Sequence, residues 1–355
     1  MVKRFAQLSL AVFLVLALAT MATAAPNVAG VVNKGSLLVF PLVMNTADVD
    51  TAIFIGNDQA APVWIKCYWM DENQDIEDFH FKVTANEPIV FWASEGFGPP
   101  FATDGIGSLV CWVQDDADVK PPADAFNHLY GTALLSSTAA EVMYNAFAFT
   151  HSGAAVTAGT LVLNGGTVPG RVYDACPNYL VSTFVPQGAP FGSATVAATS
   201  QPALALWPCN QDLRQDREGT IVKVKIDVWD EYEVKYTGAY QCFKCFYEGF
   251  LAGPEGKQTD WPQSFGKEKF TNLVLGDNVA RIRVQAANNK LCDYDGDIDV
   301  TYALKPGLLG LLLYDADGAD PFIPIAGKHM VGAGAYTQGW VLYDPATPVE
   351  EAAGR

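Results

Sequence analysis

Apolar residues recur at every second position in this chain, in stretches too short and too rich in β-branched and aromatic side chains to be helices. Residues 220–228 (TIVKVKIDV) place Val222, Val224, Ile226 and Val228 on one side and Lys223, Lys225 and Asp227 on the other. Residues 279–286 repeat the design, with Ala280, Ile282 and Val284 opposing Arg281, Arg283 and Gln285. A period of two with one apolar and one charged side describes a strand whose sheet is dry on one face and wet on the other.

Eight earlier stretches carry the same signature: residues 36–43, 51–56, 63–70, 79–83, 88–92, 108–113, 129–135 and 142–150. Asn, Asp, Gly and Pro separate them, and strands at such short spacing predict a β-sandwich over about 30–151. Residues 71–75 (DENQD) form the tip of one hairpin, expected to be solvated. Residues 152–171 are small and uncharged until Arg171 and mark a boundary, with one short strand at 161–163. Beyond it the strands resume. Residues 308–314 (LLGLLLY) are apolar throughout, as a strand covered on both faces should be. The expected fold is all-β, with two β-sandwich domains, immunoglobulin-like or jelly-roll-like, at 25–151 and 165–346. A linker at 152–164 joins them and a tail follows at 347–355.

The first two dozen residues read as an export signal. Lys3 and Arg4 precede a continuous apolar run at 8–19, and Ala22-Thr23-Ala24 supplies the small residues of a cleavage site, placed after Ala24. The apolar run is short for a transmembrane helix. Its removal takes the formal charge from −17 to −19, because Lys3 and Arg4 leave with it. That acidic balance argues against nucleic acid and against insertion in, or adhesion to, an anionic membrane. The mature chain is expected to be exported, to the periplasm, the cell surface or the exterior.

Export bears on the sulfur chemistry. The disulfide candidates are Cys67, Cys111, Cys176, Cys209, Cys242, Cys245 and Cys292, an odd number that leaves at least one thiol unpaired in a monomer. Cys67 and Cys111 lie in similar strands, each near a tryptophan, and form the expected pair. Cys242 and Cys245 make a Cys-x-x-Cys within aromatic residues 236–247. A redox pair belongs at a helix N-terminus, whereas this stretch alternates like a strand, which would turn the two sulfurs to opposite faces. A zinc site would need two further ligands. The reading favoured is structural, with metal and redox roles as alternatives.

Asp293, Asp295, Asp297 and Asp299 (in DYDGDID) would share one side of an extended backbone, where water or a cation must relieve their repulsion. Calcium is the cofactor considered there, although the spacing departs from a calcium-binding helix–loop–helix; otherwise no cofactor is indicated. Asp315, Asp317 and Asp320 form a sparser cluster.

Catalytic signatures such as GxSxG, HExxH and GxxxxGK[ST] are missing from the sequence. His80, His128, His151 and His329 are scattered. Asp227, Asp230, Glu231 and Glu233 could supply a carboxylate pair for glycoside hydrolysis, but acids at a strand end more often line a solvated turn.

Several phrases nevertheless resemble one another's counterparts in a known group. Residues 34–43 (KGSLLVFPLV), 50–57, 63–68, 126–131 and 144–149, then 173–177 and 206–213, resemble a family of uncharacterised exported bacterial β-sandwich proteins. The resemblance implies an exported, cysteine-bearing β protein and transfers no catalytic residues. The function expected is structural, adhesive or binding, toward a protein or glycan and with self-association open. The alternatives are an extracellular carbohydrate-active hydrolase using Asp/Glu and a calcium-stabilised surface module.

Overall fold

The computed structural model describes residues 28–31, 34–71, 75–97, 99–101, 105–114, 126–165, 171–191, 198–214, 220–251, 270–287, 301–302, 305–315 and 322–345. The export signal, Cys292, Asp293, Asp295, Asp297, Asp299, Asp317, Asp320 and the tail lie outside the described residues.

The chain is all-β, built from several mostly antiparallel sheets. The first half forms β1 (Leu37–Asn45), β2 (Val49–Asn57), β3 (Val63–Asp71), β4 (Ile76–Val83) and β5 (Pro88–Trp92). It continues with β6 (Gly105–Gln114), β7 (Leu129–Ser137), β8 (Glu141–Asn145) and β9 (Phe147–Phe149). Their main path runs β4-β3-β6-β1-β2-β7-β8. β1 meets β2 only at Asn45 and Asp50, so the sheet folds over at that corner. Inward residues of both arms, among them Phe40, Ile53, Cys67, Trp69, Leu109 and Leu135, close on one another as a buried cluster.

The second half supplies β10 (Thr160–Leu163), β11 (Cys176–Phe184), β12 (Pro190–Phe191), β13 (Ala198–Thr199), β14 (Pro202–Pro208) and β15 (Asn210–Asp212). Next come β16 (Thr220–Trp229), β17 (Lys235–Lys244), β18 (Tyr247–Phe250), the one-turn helix α1 (Asn272–Leu275) and β19 (Ala280–Ala286). The last are β20 (Thr301–Tyr302), β21 (Leu308–Asp315), β22 (Pro324–His329), β23 (Val331–Thr337) and β24 (Gly339–Leu342). A six-stranded sheet runs β17-β16-β19-β11-β23 with β20 beside β16, and a four-stranded sheet runs β18-β14-β21-β22. The short strand expected inside the boundary segment is β10, which pairs with β24.

The four-stranded sheet explains why β21 is apolar throughout. Leu311 and Leu313, with Ala203 and Ala205 of β14, join the cluster of the first half. Leu308 and Leu312, with Leu204 and Leu206, instead face the six-stranded sheet. The strand is covered on both sides, as its composition requires. Gly310 sits where a Cβ would come within 2.9 Å of Leu180 and Leu206, so the layers meet at the bare backbone. A third cluster joins Tyr68 and Trp112 to Trp207, Val341 and Tyr343. Hydrophobic clusters therefore run across the boundary segment and tie the first-half sheet to strands of the second half.

In the six-stranded sheet Val222, Val224, Ile226 and Val228 are buried, as are Ala280, Ile282 and Val284. Each buried Val or Ile stabilises the fold by about 1.5–3 kcal/mol relative to exposure, and this dry face fixes the register of the wet one. No helix among the described residues is long and apolar enough to cross a membrane.

Candidate functional site

The sulfurs act as cross-links. Cys67 and Cys111 stand directly opposite in the β3–β6 ladder, both buried, with Cα atoms 4.1 Å apart, and are disulfide-bonded. Cys176 and Cys209 form a second disulfide. Cys242, on β17, is also disulfide-bonded, to a partner outside the described residues. These bonds suit an oxidising compartment.

Cys245, counted among the disulfide candidates, is instead a free thiol. Residues 236–247 are not one strand either: β17 ends at Lys244, and Cys245 turns the chain with φ 53° before β18 begins. Its amide donates to Thr220 O at 3.1 Å, and Gln211 Nε2 donates to its carbonyl. Burial pushes the Cys245 thiol up, to about 11, against the Thr220 hydrogen bond and the Lys244 charge. A buried thiol held so far above its ordinary range is a poor nucleophile. Cys242 and Cys245 are thus neither bonded to each other nor part of a cluster; among the described residues no group of His, Cys, Asp and Glu could hold a metal ion.

The acids weighed for hydrolysis do other work. Asp230 Oδ1 accepts the amides of Tyr232 and Val234, both at 2.9 Å, and its Oδ2 accepts from Tyr236 at 3.3 Å, holding the β16–β17 turn. Glu231 accepts from Asn278 across to the segment before β19. Glu233 is an exposed turn residue at φ 64°. Asp71 is buried, contrary to the expected solvated tip, because its carboxylate accepts the Asp75 amide at 2.8 Å and closes its own turn. Asp315 is buried too and accepts the Ile323 amide.

The histidines stay apart. His80 stacks on Trp64 at 4.8 Å, His128 Nδ1 lies 2.9 Å from Asp58, and His329 Nε2 lies 2.7 Å from Asn145 O. The His151 ring meets Ala154 O at 3.2 Å, while Ser152 donates its hydroxyl to Arg171 O, so the two do not form a nucleophile–base pair.

What the fold does assemble is the outer face of the six-stranded sheet. Registry sets Lys225 beside Gln285, Asp227 opposite Arg283 and Trp229 opposite Arg281, while Lys235 of β17 lies across from Trp229. The Arg283 guanidinium donates to Asp227, and Lys235 and Lys225 Nζ approach the same carboxylate at 3.3 and 3.4 Å. Burial alone would push the Asp227 carboxyl up. The hydrogen bonds from Arg283 and Lys235, with the Lys225 and Lys235 charges, outweigh it and hold the group below its ordinary value of 3.8.

The aromatic rings carry the cations. Arg281, Lys235 and Arg283 stand over Trp229 at 5.1, 5.3 and 5.5 Å from the ring centroid. Lys223 stands over Tyr240 at 5.2 Å and Arg283 over Tyr179 at 5.7 Å. Such contacts stabilise by roughly 0.5–2 kcal/mol each and hold long side chains in place. Three cations thus meet one carboxylate on this sheet face, while Arg281 and Lys223 stand over the neighbouring rings, in a chain whose net charge is −17. Sequence reasoning recognised Lys223, Lys225, Arg281 and Arg283 as a wet face but overlooked Trp229 and Lys235. The available signal was a local excess of Lys and Arg within an acidic sequence.

No protein-family model and no curated protein sequence matches the chain. Among solved structures, the chain is similar to one titled Thermotoga maritima 1070, at 7% identity over 33% of this chain and 96% of that one, with a TM-score of 0.26. It is also similar to the PBSX exported protein XepA, at 10% identity over 74% and 84% of the two chains, with a TM-score of 0.17. A third similarity is to a Streptomyces avermitilis alpha-L-rhamnosidase complexed with L-rhamnose, at 10% identity over 87% of this chain and 30% of that one, TM-score 0.17. At these TM-scores none carries a functional argument.

Proposed function

We propose that this chain is an exported, non-catalytic bacterial protein with a binding or adhesive role at the cell surface or in the periplasm. Its leader is cleaved after Ala24, its two halves are sandwich units of immunoglobulin-like or jelly-roll-like kind, and the outer face of the six-stranded sheet is its contact surface. The observation that carries this reading is the ring-mounted cation array around Asp227. A rigid sheet held by buried Val and Ile presents charge and aromatic surface, with the Asp227 carboxylate engaged by Arg283, Lys235 and Lys225. The engagement of Asp230 and Glu231 in the turn supports the same reading.

The test compares wild type with the charge reversal Arg281→Glu in a binding screen against immobilised glycans and cell-envelope proteins. Arg281 is exposed, so the variant should stay folded and melt cooperatively, lowered only by the loss of its contact with Trp229. Ligands retained by wild type and lost by the variant are expected; equal retention of every ligand would remove this face from the function.

A further inference from the structure

We propose that the side chains of Lys66 and Asp78 close a covalent amide that bonds β3 to β4. The β3–β4 ladder sets Lys66 opposite His80 and Asp78 opposite Tyr68. The two side chains are therefore diagonal neighbours on one face, within reach of a long lysine, and Lys66 Nζ meets the Asp78 carboxylate. At Lys34, Lys225 and Lys235, the lysine beside an aspartate keeps its amine in solvent, with side-chain exposures of 50%, 35% and 38%. Lys66 is wholly buried, and its Nζ has no hydrogen-bond partner. An ammonium carries three N–H donors, so its charge is poorly compensated here, and the buried setting favours return of one proton to the carboxylate. Burial pushes the Lys66 amine down, to about 8. A neutral amine in contact with a neutral carboxylic acid is the reactant pair of amide formation.

The step balances without a co-reactant, and the buried ion pair is its starting state. One ammonium proton passes to an Asp78 carboxylate oxygen, and the Nζ lone pair attacks Cγ. A second nitrogen proton passes to the hydroxyl being displaced, the C–O bond breaks, and water leaves. Fixed contact replaces a bimolecular encounter, and effective molarities for well-oriented groups reach about 10⁵–10⁸ M. Aromatic rings shield the site from the water that would reverse the step. Lys66 Nζ lies over Tyr68 at 5.1 Å from the ring centroid, Tyr68 stacks on Trp112 at 5.3 Å, and His80 stacks on Trp64 at 4.8 Å. Trp112 also stands opposite Lys66 on β6. Closing the amide removes both charges from the site and with them the cost of burying them. The next residue, Cys67, already bonds β3 to β6. Two consecutive residues thus clamp β3 to the strands on either side, and the amide secures β4, the terminal strand of its sheet path. This bond is independent of the contact surface proposed above.

The experiment is mass spectrometry of the full mature chain, purified folded and then unfolded, reduced, alkylated and digested with trypsin. Within residues 35–82 trypsin has one internal site, after Lys66, and a lysine whose amine is acylated is not cut. The wild type should release residues 35–82 as one piece, lighter by one water. Lys66→Arg, which keeps the charge but cannot form the amide, should release two pieces of full mass. Separate pieces 35–66 and 67–82 of full mass from the wild type would overturn the proposal, and that result needs no variant to fold. A missing water with normal cleavage after Lys66 would overturn it too, because it marks an aspartate cyclised onto its own backbone. A missing water that persists in Lys66→Arg would overturn the assignment to this pair.

Discussion

Asp227 and Arg283 stand directly opposite each other on β16 and β19, 56 residues apart in sequence, and the guanidinium donates to the carboxylate while lying over the Trp229 ring. One ion pair therefore ties the two strands and sets the charge pattern of the exposed face. The direction of its pH dependence follows. The folded carboxyl titrates below 3.8, so its contribution is fully present above the unfolded value and is lost as pH falls through the folded one. Asp227→Asn should cost about 1.5–3 kcal/mol at neutral pH, the range for hydrogen bonds to charged groups, and flatten the acid limb of a stability–pH curve measured by denaturant melts.

Lys66 and Asp78 form an ion pair buried on both sides, with side-chain exposures of 0% and 7%. Burial pushes the Lys66 amine down, to about 8. Lys66→Met leaves the Asp78 carboxylate without this partner in a low-dielectric site and should destabilise by about 3–5 kcal/mol. The double variant Lys66→Met/Asp78→Leu should recover most of that loss, since an apolar pair of similar volume can match a buried ion pair. Urea midpoints of the single and double variants check both parts.

Replacing Cys67 and Cys111 together by valine should cost about 2–4 kcal/mol, through loss of a cross-link spanning 44 residues. The two sulfurs fill the first-half core, and valine keeps apolar volume there, so the loss reports the bond rather than a cavity. Thermal melting under non-reducing conditions gives the comparison.

The Cys245 thiol should resist iodoacetamide in the native protein and react once the chain is unfolded without reductant. Burial and a pKa pushed up to about 11 both protect it. Peptide mapping after each treatment identifies the labelled cysteine. Labelling of Cys245 in the native state, or recovery of a Cys242–Cys245 disulfide, would contradict the packing described.

Much of the scaffold was legible in the sequence because burial imposes a periodicity. The alternation in residues 220–228 and 279–286 marks which side of β16 and β19 is dry, and the unbroken apolar run of β21 marks a strand with two covered faces. The matching surroundings of Cys67 and Cys111 pointed to their pairing. Other features depend on what local pattern does not carry. A single left-handed residue at Cys245 ends β17 without changing the aromatic alternation around it. Asp71 reads as a hairpin tip, and only the closed turn shows why it is buried. The cation array needs the register of β16 with both β17 and β19, a long-range pairing that composition does not encode.

The most direct test of the account screens the mature protein against immobilised glycans and cell-envelope proteins, and follows both complex formation and the integrity of every glycan retained. The account predicts complexes lost with Arg281→Glu and, for every glycan retained, a reducing-end content that stays constant over prolonged incubation. A rise in reducing ends that Asp227→Asn abolishes would contradict it, because the acid described here as a structural ion-pair partner would then be acting as a catalyst.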